Sequence, residues 1–383
     1  MRKGQTGAKV SPACPGQDPV NPGQLLETRT GFKPPSQTRS FKNKVPREKE
    51  PEPGREQPVP VRLNPDSRMC STPSVRHQLD RVAVMGGTHG NELSGVYLVK
   101  HWLQDPSELQ RATFTTTPFL ANPKATKRCV RYVSQDLNRS FTRALLTSKG
   151  TEDSLYEVRQ AKKINQLFGP RGSADAFDFI FDLHNTTSNM AACLLSDSEE
   201  NVFTMHMCHY IQKNTQGPCP IYLYGCPGPE NPFLLSVGKN GLGMELGPQP
   251  HGVLRADVLS HMRALVACGL DFIDLFNQGA SFPAFDIVAY RVIETVDFPR
   301  SPGGELLGSV HPQLQDKDFC PLKPGDPIFQ LFSGKEIFYE GDATIYPAFI
   351  NEAAYYEKGA AFHKMKKCTF SIPPLQAPSA SAP

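Results

Sequence analysis

Apolar residues recur along this chain with two periods. Residues 81–85 (Arg-Val-Ala-Val-Met) form a short apolar run of the kind a buried strand requires, and residues 91–103 place Leu93, Val96, Tyr97 and Leu103 near helical spacing. Gly86 and Gly87, between the two, relieve the steric limits of a tight turn. Strand and helix patterns then alternate: a strand around 114–122, a helix over 155–168 closed by Gly169, and a strand ending at His184. A helix over 199–213 follows, then short strands at 220–224 and 242–246 and an amphipathic helix over 254–277 that stops at Gly279. This alternation predicts an α/β domain with a sheet flanked by helices. After Phe282 the texture changes, with strand patterns at 285–296, 327–332 and 336–339 separated by Pro, Gly and Asp turns, which predicts a smaller β-rich domain.

Charge and composition set the ends apart. Residues 1–68 carry 13 Lys+Arg against 7 Asp+Glu, so a chain of net charge +3 has a net acidic remainder. That segment holds 12 of the 36 prolines and two aromatic residues, Phe32 and Phe41, too little apolar surface to offset the entropy of ordering it. The expected organisation is a disordered basic Pro-rich extension at 1–68, a catalytic domain at 69–280, a β-rich domain at 281–371 and a disordered tail at 372–383. No apolar run suits a signal peptide or a membrane helix. The ten cysteines include no Cys-x-x-Cys pair, a pattern that fits reduced, packed thiols in the cytosol. With the basic excess confined to the extension, a nucleic-acid role finds little support.

Candidate chemistry gathers at strand ends, where open α/β sheets place their ligands. His89 and Glu92 follow the first strand and His184 ends a later one. Together they make the two-histidine, one-carboxylate set of a catalytic zinc, with a fourth position left for water. The plain alternative is a capping histidine and a surface carboxylate. Glu245 is a lone acid in a glycine-flanked apolar strand, costly without partners, and reads as the general base or as half of a buried ion pair. Arg131, Asn138 and Arg139 sit on a polar loop, where a guanidinium grips a carboxylate or an oxyanion, or else belongs to the surface. His206 and His209 lie one helical turn apart with no carboxylate at ligand spacing, and are read as helix surface and packing.

In combination, Gly86-Gly-Thr-His-Gly-Asn-Glu-Leu-Ser-Gly95, Asp136-Leu-Asn-Arg139, Phe181-Asp-Leu-His-Asn-Thr-Thr187, Glu245-Leu-Gly-Pro-Gln-Pro250, Gly252-Val-Leu-Arg-Ala-Asp257 and Asn351-Glu-Ala-Ala-Tyr-Tyr-Glu-Lys358 resemble the aspartoacylase family of zinc amidohydrolases. The resemblance spans residues 69–371. It implies a zinc-carboxypeptidase-like mixed sheet, one Zn²⁺ per subunit on His89, Glu92 and His184, and Glu245 as general acid/base. It further implies that Arg131 polarises the scissile carbonyl, that Asn138, Arg139 and Tyr355 bind substrate, chiefly its α-carboxylate, and that the protein is a homodimer or homotetramer. A cytoplasmic location, with peripheral association at the apical plasma membrane, is implied by resemblance alone.

One departure from the family pattern bears on substrate. Counting back from Glu245 without gaps, Leu235 falls where aspartoacylase has an arginine that reads the aspartate side chain, and Asn231 falls where it has a tyrosine. An apolar residue cannot pair a second carboxylate. The implied substrates are small N-acyl, mainly N-acetyl, L-amino acids with aromatic or S-substituted cysteine side chains, the latter being mercapturates. Two alternatives stand beside this: hydrolysis of N-acetyl-L-aspartate, or a non-catalytic adaptor that recruits partners through the Pro-rich N-terminus.

Overall fold

The computed structural model describes residues 77–148, 154–225 and 231–377. The extension predicted at 1–68 lies outside the described residues, as do 378–383. In chain order the elements are β1 (Arg81–Gly86), α1 (Leu93–Trp102), β2 (Thr115–Leu120), α2 (Pro123–Arg128), α3 (Arg143–Thr147), α4 (Tyr156–Phe168), β3 (Phe179–Asn185) and β4 (Ala191–Ser196). Then come α5 (Val202–Asn214), β5 (Ile221–Leu223), β6 (Asn240–Gly247), α6 (Ala256–Asn277), β7 (Phe285–Val296), β8 (Gly308–Val310), β9 (Pro327–Leu331), β10 (Glu336–Phe338), β11 (Tyr346–Ala348) and β12 (Phe362–Ile372).

Nine strands make one mixed sheet in the order β11-β12-β7-β5-β4-β6-β3-β1-β2. The β2-β1-β3-β6 half is parallel, and its inner strands β1 and β3 are buried almost throughout, as strands of a parallel sheet covered by helices should be. β1 turns into α1 through Gly86, where an added Cβ would lie 2.2 Å from the carbonyl oxygen of Gly95. Val96 is buried as its spacing predicts, but the expected face is only partly the buried one. Gly95, Leu98, Val99 and Trp102 face the core, whereas Tyr97 and Leu103 are exposed. The helix and strand cores meet in one cluster that includes Val82, Val84, Leu98, Trp102, Phe181, Met244, Phe272 and Phe276.

The C-terminal residues extend the same sheet. β7 pairs parallel with β5, β12 adds antiparallel to β7 and β11 antiparallel to β12, while β8, β9 and β10 form a separate three-stranded sheet. That small sheet has its own core of Phe298, Val310, Phe329, Tyr339 and Phe362. Of the tail expected over 372–383, residues 372–377 are described and part of them is packed. Ile372 closes β12, and Leu375 is buried and bridged to Phe282, because a leucine amid Pro and Ala still has apolar surface to bury. The described cysteines are all free, and Cys193, Cys208, Cys219 and Cys268 are buried. Among the described residues no helix is long and apolar enough to cross a membrane.

Candidate functional site

The β6 sequence alternates strictly. Leu242, Met244 and Leu246 point into the core, while Gly241, Gly243, Glu245 and Gly247 occupy the other face, so Glu245 stands on a floor almost bare of side chains. That floor belongs to a cavity of about 240 Å³. His89 and Glu92 reach it from the β1–α1 turn and His184 from the end of β3, directly beside Glu245 in the strand register.

These three residues are buried and converge. Nδ1 of His89 lies 2.6 Å from Oε1 of Glu92, Nδ1 of His184 lies 2.9 Å from Oε2, and the two Nδ1 atoms are 3.2 Å apart. Each imidazole is gripped on its far side: Nε2 of His89 meets Oδ1 of Asp136 at 3.1 Å, and Nε2 of His184 meets Oδ2 of Asp182 at 2.8 Å. A carboxylate on Nε2 keeps the proton there and turns the Nδ1 lone pair inward. Two lone pairs and a carboxylate held this close repel one another unless a cation lies among them, so the donor set fits a metal ion. N₂O donation of this kind suits Zn²⁺. Among the described residues, this is the one such group of His, Cys, Asp and Glu side chains.

The electrostatics follow from the packing. Burial alone would raise the pKa of Glu92, but His89 and His184 outweigh it and hold the carboxyl well below its usual range. For Glu245 burial wins, reinforced by the like charge of Glu92, and its pKa is pushed well above the usual carboxylate range. Arg131 donates to Oε1 of Glu92 at 3.1 Å and to Oδ2 of Asp136 at 3.2 Å, and Lys358 adds a contact to Asp136 at 3.0 Å. Burial would lower the Arg131 pKa; Glu92 and Asp136 overcome it and keep the guanidinium charged.

The other candidate residues line the same cavity. Asn138 and Arg139 come from a short 3-10 turn, and the Asn138 side chain accepts from the Leu234 amide at 2.8 Å. Arg139 is exposed at the rim, its guanidinium 4.8 Å from the Phe233 ring centroid. Leu235 lies over Gly241, where a Cβ would come within 3.0 Å of it, and with Leu195, Tyr224, Phe233 and Val292 it makes an apolar chamber. Arg131 and Arg139 are the guanidinium groups among the described lining residues. Tyr355 enters on a 3-10 turn, Ala353–Lys358.

Several contributors carried no spacing signal. Asp136 and Asp182 are in the quoted motifs, and an acid two residues before a strand histidine shares its face, but without a partner in view neither declared itself. Buried Glu352 accepts from the hydroxyl of Thr186 and from the amide and hydroxyl of Thr187 at 2.7 and 3.0 Å, tying the Tyr355 turn to the end of β3. His206 and His209 take no part. His206 contacts the Pro373 carbonyl at 2.9 Å and His209 stacks on Phe285 at 3.9 Å.

Residues 78–273 match the succinylglutamate desuccinylase/aspartoacylase catalytic domain, and residues 285–367 match the AstE/AspA barrel-sandwich hybrid domain. The human N-acyl-aromatic-L-amino acid amidohydrolase (carboxylate-forming) is 59% identical over 310 residues, covering 81% of this chain and 97% of that one. Mouse aspartoacylase is 48% identical over 297 residues, covering 77% and 95%. The crystal structure of murine aminoacylase 3 superposes with a TM-score of 0.77 at 56% identity, covering 79% of this chain and 99% of the other.

Proposed function

Because the chain belongs to the succinylglutamate desuccinylase/aspartoacylase family, we propose that it is a zinc amidohydrolase that cleaves N-acyl, mainly N-acetyl, L-amino acids with aromatic or S-substituted cysteine side chains. Its products are a carboxylate and the free amino acid. The observation that carries the substrate class is Leu235 in an apolar chamber, where the described residues offer no cation for a second carboxylate. Leaving that charge unpaired would cost several kcal/mol.

In this reading His89, Glu92 and His184 hold one Zn²⁺ per subunit, which when bound supplies Lewis-acid polarisation and water activation. Glu245 takes the proton of the attacking water and returns it to the leaving amide nitrogen. Burial and the neighbouring Glu92 raise its pKa, the direction a carboxyl needs to hold a proton for the leaving nitrogen. Arg131, fixed by Glu92 and Asp136, polarises the scissile carbonyl and stabilises the oxyanion. Asn138, Arg139 and Tyr355 bind the α-carboxylate and so orient the amide over Glu245. Leu235 and its neighbours receive the side chain.

Metal analysis of the purified protein with a panel of N-acetyl amino acids tests this. The expected result is about one zinc per chain and far faster turnover of N-acetyl-tyrosine, N-acetyl-phenylalanine and S-benzyl-N-acetylcysteine than of N-acetyl-aspartate. A preference for N-acetyl-aspartate, or full activity without metal, would overturn it. The same proposal carries a division into catalytic (69–280) and β-rich (281–371) parts, a homodimeric or homotetrameric state measurable by light scattering, and a cytoplasmic location with peripheral membrane association.

A further inference from the structure

β12 contributes His363 to the same cavity, and its ring stacks on Tyr355 with centroids 5.4 Å apart and an interplanar angle of 26°. Its Nδ1 is 2.6 Å from the hydroxyl of Tyr222, a buried residue of β5 that also lines the cavity. A phenol is the stronger donor and an imidazole nitrogen the stronger acceptor, so Tyr222 donates to Nδ1. The proton of the neutral ring therefore sits on Nε2. Nε2 makes no hydrogen bond to another described residue, and the ring lines the cavity.

Burial, then the cationic Arg139 and Lys358, hold the His363 pKa down to about 4, so the ring is neutral at neutral pH. Arg139 acts electrostatically on Tyr355 as well as on His363, which groups the three on one side of the chamber. Among the described residues no carboxylate hydrogen-bonds to His363.

From this arrangement we infer that His363 Nε2–H is a fourth donor to the substrate α-carboxylate, beside Asn138, Arg139 and Tyr355, with Tyr222 as the positioning residue that fixes its tautomer. The inference rests on the amidohydrolase reading and adds a contact to it. A neutral donor is well suited here, because it gains a charge-assisted hydrogen bond without adding a third positive charge beside Arg139 and Arg131.

The test uses the full chain. His363→Phe keeps the ring stacking but removes the donor, and a hydrogen bond to a charged group contributes roughly tenfold or more to affinity. The KM for N-acetyl-L-tyrosine should rise about tenfold, with the loss falling chiefly on KM. His363→Gln, which offers an amide N–H near the Nε2 position, should recover most of it. Tyr222→Phe should shift KM in the same direction by a smaller factor. N-acetyltyramine, which lacks the carboxylate, serves as a competitive inhibitor whose Ki should move far less than the KM. The inference is overturned if KM is unchanged in His363→Phe, if Phe and Gln raise it alike, or if the N-acetyltyramine Ki shifts by the same factor. If the unmodified protein hydrolyses no N-acetyl aromatic amino acid, it is the amidohydrolase reading that fails.

Discussion

His184 on β3 and Glu245 on β6 are direct partners in the strand register, so a histidine of the metal set and the one acid of the cavity floor stand side by side. The pairing is parallel and central in the sheet, and both flanking strands have neighbours of their own, which leaves little freedom to alter the spacing. Glu245→Gln keeps shape and volume while removing the proton acceptor. Turnover should fall by about 10³-fold, within the range usual for acid/base groups, with zinc content unchanged. Metal analysis and initial rates on one preparation check this. Activity within tenfold of the parent would remove Glu245 from the proton transfer.

Glycine alternation on β6 sets the size of the chamber. An added Cβ at Gly243 would lie 3.0 Å from Cβ of Leu195 and 3.2 Å from its Cδ1, so Leu195 or the strand must give way. Gly243→Ala should therefore discriminate by substrate size, cutting kcat/KM for N-acetyl-phenylalanine about tenfold more than for N-acetyl-alanine, within the span of one steric contact. Equal losses on both would point to a general distortion of β6.

Leu235 decides charge as Gly243 decides size. Leu235→Arg places a guanidinium where an apolar wall now stands. The ratio of kcat/KM for N-acetyl-aspartate to that for N-acetyl-phenylalanine should rise at least about tenfold, since a buried carboxylate gains a charged partner. Steady-state kinetics on the two substrates measure it, and a constant ratio would count against Leu235 as a side-chain contact.

Much of this was legible in the chain because local pattern and tertiary role coincide. Residues 81–95 fold as strand, glycine turn and helix, and that unit by itself sets His89 and Glu92 at a strand end. Glu245 stood out as an acid among glycines and aliphatics. Other features depend on contacts between distant segments, which no local period encodes. On α1 the expected Val96 is buried, but Tyr97 and Leu103 are exposed, and the buried side runs through Gly95, whose backbone approach to Leu183 leaves no side chain to mark it. Glu352 has meaning only beside Thr186 and Thr187, and Tyr355, identified by resemblance alone, is anchored by that contact. The joining of β7 to β5 was equally hidden, because hydrophobic alternation reveals a strand and not its neighbour.

Asp318 supplies a prediction about stability rather than turnover. It is buried, its Oδ1 accepts from the Ile350 amide at 3.0 Å, and its Oδ2 has no partner among the described residues. Burial raises its pKa from 3.8 to about 7, with hydrogen bonds from backbone amides only partly opposing the shift. The folded chain therefore retains a proton that the unfolded chain releases near pH 4. Between those values the folded state binds more protons, so this group's contribution to stability falls as pH rises from about 4 to 7 and is level beyond it. The shift corresponds to at most about 4 kcal/mol. Asp318→Asn keeps an acceptor for the Ile350 amide and removes the charge. It should stabilise the protein at pH 8, where the parent carries a buried carboxylate, and give little or no gain at pH 4.5, where the parent is already protonated. Urea unfolding at the two pH values measures the difference directly. An equal effect of the substitution at both would show that Asp318 does not titrate between them.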